Sequence, residues 1–340
     1  MQSIKVNDAV GAVLCHDITE IVPGKFKGTA FKKGHVINSD DILKLLRLGK
    51  EHIYVWEMSE GKVHENDAAL RIAQALMGPG LYMSEPREGK VNLIATTSGM
   101  CVINESLLME INMVEEVVVA TRNNRKPVQA GDIVAGVRVV PLVIDEHKLV
   151  EVEEISAGFA VIQVKEFLPH KVGIVTTGSE VYYGRIEDKF GPVVKRKMEA
   201  FNCSVIEQII VPDDCQQIVS AIHRLIDEGA EIILTTGGMS VDPDDVTPRA
   251  VREAGAEIVT YGAPVLPGAM LMVAYLGEVP ILGLPGCVMY SKATIFDLVL
   301  PTILTGERIT RPMIVKLGLG GLCLQCDVCH YPACSFGTGA

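Results

Sequence analysis

The stretch Glu231-Ile-Ile-Leu-Thr-Thr-Gly-Gly-Met-Ser-Val-Asp-Pro-Asp-Asp-Val-Thr-Pro248 decides how the rest of the chain is read. Its apolar run, Ile232 to Leu234, is too short for a helix and stops at Gly237-Gly238, which marks a buried strand closed by a tight turn. Two glycines let the backbone bend sharply and present N–H groups. Aspartates follow at 242, 244 and 245, and Thr247-Pro248 has the form of a helix cap and first helical residue. Backbone donors and carboxylates beyond the end of a buried strand suit a phosphate with its Mg²⁺. Taken alone, the stretch is equally a glycine turn followed by a solvated acidic loop.

Outward from it, residues 168–310 alternate strand and helix. Val172 to Thr176 and Val205 to Val211 read as strands, and Gly191 to Phe201 as a helix with Val194, Met198 and Phe201 on one face. Asp214-Cys-Gln-Gln217 has the form of a capping box ahead of the stripe Ile218, Ile222, Leu225 and Ile226. A helix is expected from Pro248 to Gly255. A hairpin follows, Leu271 to Tyr275 with Val279 to Gly283, and then a long helix from Val288 to Leu304. The pattern predicts a mostly parallel sheet covered on both faces, a three-layer α/β domain.

Earlier parts of the chain are less regular. Residues 1–57 read as an α+β segment, with a capped helix at Asn38 to Gly49 and a strand at His52 to Trp56. Pro23 to Gly28 and Phe31 to His35 concentrate positive charge, either on an anion-facing loop or on a solvated hairpin. Residues 58–167 read as β-rich after a short helix at Asp67 to Leu76, a small sheet or barrel with no catalytic spacing. Neither His64 nor Glu65 is given a role.

Composition sets the outer limits. The chain has 340 residues, 48% of them apolar and few aromatic, and a formal net charge of −11. That length suits two or three domains, and that charge argues against nucleic acid or an anionic membrane as partner. The polar opening residues and the lack of a long apolar run point to a cytoplasmic protein. Of nine cysteines, Cys15, Cys101, Cys203, Cys215 and Cys287 are scattered and read as reduced thiols, mostly buried. Cys323, Cys326, Cys329 and Cys334 crowd into residues 311–340. Spacings of two, two and four intervening residues suit one Zn²⁺ or an iron–sulfur cluster, with His330 as an alternative ligand. A redox-labile disordered tail is the other reading.

Four turns in residues 168–310 follow strands and carry glycine or acidic residues: Thr177 to Glu180, Pro212 to Asp214, Thr236 to Asp245, and Leu284 to Gly286. In an open α/β sheet such turns converge on one edge. Glu180, Asp188, Asp213 and Asp245 could then share a cleft, where an anionic ligand needs a divalent cation between the carboxylates. Individually, Asp213 reads as a helix-start charge and Glu180 as a solvated turn residue.

The segments Thr177-Gly-Ser-Glu180, Gly184-Arg-Ile-Glu-Asp188, Thr235 to Pro248 and Gly283-Leu-Pro-Gly286, in this order, resemble the molybdopterin-binding domain of molybdenum cofactor biosynthesis, found in MoeA, MogA and gephyrin. The resemblance spans residues 168–305. The segment from Gly34 to Gly49 is similar to the stretch leading into this domain in MoeA-type proteins. The resemblance implies that Gly237, Gly238 and Ser240 hold the pterin phosphate beside Thr177, Gly178 and Ser179, with the Pro285-Gly286 turn adjoining. It also implies catalytic roles for Asp245, Asp213 and Glu180, and Mg²⁺ at Asp245 with Asp188.

The function implied is molybdopterin binding, with Mg²⁺-dependent insertion of molybdate into adenylylated molybdopterin and release of AMP. A molybdoenzyme client and a homo-oligomer are expected with it. Alternatives are a non-catalytic carrier or sensor, and a nucleotide hydrolase related to nicotinamide-nucleotide amidase proteins. Three positions depart from the MoeA pattern: Cys287 replaces an Asn, Leu266-Pro-Gly-Ala-Met270 lacks the flanking lysines, and Asp188-Lys-Phe190 stands for Asp-x-Asn. These departures bear on catalysis more than on binding.

Overall fold

After residue 168 the apolar runs form a six-stranded sheet whose two faces are buried by alternate side chains. The structure, a computed structural model, describes residues 2–22, 26–55, 61–239 and 245–339. Trp56, Ser240, Asp242 and Asp244, all singled out above, lie outside the described residues.

The strands are β1 (Lys171–Thr177), β2 (Ser204–Val211), β3 (Ile232–Thr236), β4 (Glu257–Tyr261), β5 (Met272–Leu276) and β6 (Val279–Leu284). Their order across the sheet is β2-β1-β3-β6-β5-β4. The pairings β1/β2, β1/β3 and β3/β6 are parallel. β5 runs antiparallel to both β6 and β4. The mostly parallel sheet expected from the sequence is the one observed.

Period-two alternation separates two cores. Val172, Ile174, Ile232, Leu234, Leu282 and Leu284 face one side. There they meet α2 (Phe190–Glu199) through Val194 and Met198, and α5 (Ile295–Leu304) through Phe296 and Val299. Val175, Ile233 and Ile281 face the other side, against α3 (Cys215–Asp227) and α4 (Thr247–Glu253). Each fully buried Leu or Ile contributes about 2 kcal/mol, so neither helical layer can be stripped without loss of the sheet. A one-turn α1 (Ser179–Tyr182) follows β1, and α6 (Arg311–Lys316) follows α5.

The long helix expected over residues 288–304 is interrupted. A 3₁₀ turn covers Gly286–Met289, and α5 starts only at Ile295. Thr294 is the reason: its side chain accepts the Phe296 N–H, and Asp297 accepts the Thr294 N–H, which is a capping box in the middle of the expected helix. Pro301 falls inside α5 without ending it.

The chain divides into two compact units with boundaries interleaved in sequence. One comprises residues 1–95, 104–121 and 131–162, the other residues 96–103, 122–130 and 163–340. In the first, strands Leu81–Met83, Lys90–Ala95, Ile133–Val139 and Val117–Thr121 form an antiparallel sheet in that order. The helix Glu65–Leu76 packs on it, capped by the buried His64, whose Nδ1 accepts the Asn66 N–H at 3.2 Å while Nε2 donates to the Cys15 carbonyl at 2.7 Å. Two further helices, Glu105–Met113 and Glu146–Ser156, stand where only strands were expected. Ile18–Val22 pairs antiparallel with Phe26–Phe31; of the two basic stretches, Pro23 to Gly28 and Phe31 to His35, residues 23–25 lie outside the described residues. All nine cysteines are free, with Cys15, Cys101 and Cys203 buried. No helix among the described residues is long and apolar enough to cross a membrane.

Candidate functional site

Because β1, β2, β3 and β6 run parallel, their carboxyl ends lie on one edge of the sheet, and the chain departs from β1 to opposite sides at β2 and β3. A crevice opens at such a reversal. It is a cleft of about 1000 Å³, lined by Thr177 and Glu180 after β1, Gly237, Gly238 and Asp245 after β3, and Pro285, Gly286 and Cys287 after β6. Asp188 lines it too, from the loop before α2. Gly178, Ser179 and Asp213 are not among its lining residues.

Close packing at the floor explains the glycines. A Cβ on Gly237 would stand 2.1 Å from the Thr177 carbonyl oxygen, and one on Gly238 would stand 2.5 Å from Thr247 Oγ1. Both residues have positive φ, 89° and 55°. The hydroxyls of Thr177 and Thr247 approach to 3.1 Å, and Thr247 donates to the Gly237 carbonyl at 3.1 Å. Thr247 is therefore the first residue of α4 and a clamp on the turn, with Val246 in the cap position expected of it.

The carboxylates occupy three different environments. Asp213 faces back into the fold: its carboxylate accepts the Ser179 N–H at 2.8 Å while Ser179 Oγ accepts the Asp213 N–H at 3.3 Å, locking the turn after β1 to the turn after β2. Asp188 caps α2, accepting the N–H groups of Phe190 at 2.9 Å and Gly191 at 3.0 Å, and the Gln208 amide at 2.6 Å. Glu180 and Asp245 line the cleft itself. Burial first, and then the charge of Asp245, push the Tyr261 phenol above its ordinary value, and its O–H donates to the Met239 carbonyl at 2.9 Å.

Sequence reading missed the apolar half of the cleft. Phe190, Met239, Met270, Met289 and Tyr290 all line it, and a flat aromatic ligand fits against such side chains. Phe190 opens α2 and Met289 closes the 3₁₀ turn, while Met239, Met270 and Tyr290 sit in connecting loops, and apolar residues in such places read as core. Gln208 was also missed: its amide reaches Thr176 Oγ1 at 2.9 Å as well as Asp188. A lone amide in the strand run Val205 to Val211 was the available signal. Among the described lining residues, Glu180, Glu187, Asp188 and Asp245 stand against a single cation, Lys189.

The four cysteines of residues 311–340 line a separate hollow of about 370 Å³, together with His330, Tyr331 and Phe336. Among the described residues, no three His, Cys, Asp or Glu side chains are gathered into a set ready to hold a metal ion. Tyr290 borders both this hollow and the cleft.

Residues 173–305 match the family described as "Probable molybdopterin binding domain", and residues 3–57 match "Domain of unknown function (DUF8806)". The chain is 29% identical over 161 residues to the molybdopterin molybdenumtransferase of Haemophilus influenzae, covering 45% of this chain and 39% of that protein. It is 27% identical over 131 residues to the protein of the same name from Synechococcus elongatus, covering 36% and 32%. A CinA-like protein of Mycobacterium avium is 33% identical over 90 residues, 26% of this chain and 21% of that one. The chain thus spans less than two fifths of the length of each of these relatives. Among solved structures, the molybdopterin biosynthesis enzyme MoaB of Thermus thermophilus is 23% identical, covers 41% of this chain and 98% of its own, and has a TM-score of 0.33.

Proposed function

Residues 173–305 belong to the molybdopterin-binding domain family, and from that premise we propose that the cleft beyond β1, β3 and β6 binds molybdopterin in molybdenum cofactor assembly. The observation that carries the reading is the meeting of Thr177, Glu180, Gly237, Gly238, Asp245, Pro285 and Gly286 around one hollow. In the proposed complex the pterin lies against Met239, Met270 and Tyr290, and its phosphate meets the backbone donors of the Gly237-Gly238 turn, the Gly178 and Ser179 N–H groups being already bonded to the Val211 carbonyl and the Asp213 carboxylate. Ser240 follows that turn in the sequence and lies outside the described residues. Asp213 acts by fixing the Ser179 turn.

The finer reading is a molybdotransferase: adenylylated molybdopterin and molybdate enter, and AMP leaves. Support comes from the name shared by the Haemophilus and Synechococcus relatives. Glu180 and Asp245 are the cleft carboxylates suited to Mg²⁺, which takes one or two protein carboxylates and fills its other positions with water and phosphate oxygens. Such an ion screens the charge that builds on phosphate oxygens during transfer. Asp188, already accepting three N–H groups, has the part of holding α2 and Gln208 at the cleft wall. The same reading expects a molybdoenzyme client and a homo-oligomer in the cytoplasm.

The excess of carboxylate over ammonium in the cleft favours a second reading, a carrier that holds the pterin without turning it over. One experiment separates the readings. The full chain is incubated with adenylylated molybdopterin, molybdate and Mg²⁺, and AMP is measured for the wild type and for Asp245→Ala. Transfer predicts AMP release reduced about 100-fold or more in the variant. Tight pterin binding with no AMP from either protein selects the carrier. Hydrolysis of ADP-ribose in a parallel incubation selects the nucleotide-hydrolase reading.

A further inference from the structure

Residues 322–336 are tied down at both ends and open in the middle. At one end the Cys323 N–H donates to the Leu266 carbonyl at 2.8 Å. At the other, the Tyr331 hydroxyl donates to the Asp297 carbonyl at 2.7 Å, and Phe336 is only 3% exposed. The ammonium of Lys126, 4% exposed, donates to the carbonyls of Phe336 and Gly337 and stands 5.2 Å from the Tyr331 ring centre. So this segment is built into the α/β unit and is not the loose tail that the sequence also allowed.

Between those anchors the usual sources of order are missing. Among the described residues, no backbone N–H from Leu324 to His330 donates to another backbone group. Leu324 is 77% exposed and Val328 66%, so no apolar core forms beneath them. What this stretch does hold is sulfur: Cys323 and Cys334 half-buried, Cys326 and Cys329 exposed, all four around the one hollow and none in a disulfide. A short loop with fixed ends, no core and four cysteines around one hollow is the form of a knuckle that a metal completes.

We propose that Cys323, Cys326, Cys329 and Cys334 form a thiolate site for a thiophilic metal centre, either one Zn²⁺ or an iron–sulfur cluster. Each Sγ–metal bond replaces an S–H bond, and the four protons pass to solvent. A cluster instead takes up two ferrous and two ferric ions with four inorganic sulfides, so its assembly needs no further oxidant. All four cysteines line the hollow without being gathered into a metal-ready set, so the stretch between the anchors has to draw in to bring the sulfurs together. His330 lines the same hollow and carries an imidazole nitrogen that can stand in should one thiolate be replaced.

The test uses the full chain, loaded anaerobically with Zn²⁺ or with equal amounts of ferrous and ferric iron and sulfide, then desalted. Metal is counted by plasma mass spectrometry and acid-labile sulfide by colorimetry. About one zinc per chain without sulfide identifies the first form, and about four irons with four sulfides the second. Either content should fall at least fivefold in the double variant Cys326→Ser, Cys329→Ser, whose changes sit on exposed side chains. A Co²⁺ titration of the unaltered chain supplies a readout that needs no variant, since four thiolates give intense sulfur-to-cobalt charge-transfer bands. Less than a tenth of a metal centre per chain after both loadings, metal content indifferent to the double variant, or cobalt binding without those bands each overturns the proposal.

Discussion

A single methyl group at Gly237 is enough to separate packing from chemistry at the cleft floor. Its Cβ would meet the Thr177 carbonyl oxygen at 2.1 Å, a backbone atom that cannot swing aside, at a φ of 89° that L side chains rarely adopt. Gly237→Ala is therefore expected to destabilise the chain by about 2–4 kcal/mol, read as a lower denaturant midpoint, and to weaken pterin binding with it. Wild-type stability in that variant would mean that the β1 and β3 turns are not held this tightly. The neighbouring Asp188 teaches the opposite lesson about reading residues. In sequence it is one more carboxylate near a glycine. Its actual partners are the start of α2 and an amide 20 residues away, and nothing local announces Gln208.

At the scale of elements, strands β1, β2, β3, β5 and β6 and helices α2 to α4 were readable because their apolar periods are strong and glycine, proline or a capping residue bounds them, whereas the edge strand β4 (Glu257–Tyr261) was not expected. The gap between the 3₁₀ turn and α5 was not: Val288 to Leu304 is apolar enough to continue as one helix, and only the Thr294–Asp297 capping box breaks it. Helices Glu105–Met113 and Glu146–Ser156 escaped for a related reason, since their apolar residues do not form a clean stripe and are flanked by Val-rich runs. The cleft's glycines and carboxylates were legible as turn chemistry, while its Met and Tyr wall was not, because the same side chains fill cores elsewhere.

Long-range ion pairs are invisible to such reading, and one of them joins three elements. Glu307, just beyond α5, accepts from Arg125 and Lys165, each at 2.6 Å. Burial alone would raise its pKa, but these two cations outweigh it and hold the carboxyl below the ordinary value of 4.5. A depressed pKa stabilises the fold above the unfolded value, and that contribution is lost as pH falls from about 4.5 through the folded pKa. Glu307→Gln should cost about 1–3 kcal/mol at pH 7 and flatten the acid limb of a stability–pH curve measured by urea unfolding. An acid limb unchanged in the variant would remove Glu307 from the account.

For the whole molecule, the α/β unit is drawn from three separated parts of the chain, residues 96–103, 122–130 and 163–340. Strand Gly99–Ile103 takes its place beside Pro127–Val128 and Ile162–Glu166 in a three-stranded sheet. A fragment of residues 168–340 would lack that strand and also Arg125, Lys126 and Lys165. It should unfold at lower urea than the full chain, by about 3 kcal/mol or more. Equal midpoints for fragment and full chain would show that the early segments are dispensable.

The ammonium of Lys126, enclosed by the carbonyls of Phe336 and Gly337, also sets a schedule for the growing polypeptide. A ribosome makes Lys126 about two hundred residues before the carbonyls that receive it, an interval of roughly ten to forty seconds at ordinary elongation speeds. Through that interval the lysine must wait without the carbonyls that enclose it, in a unit only partly assembled. Chaperone demand should accordingly be greatest just before residue 337 emerges, not when the first unit closes near residue 162.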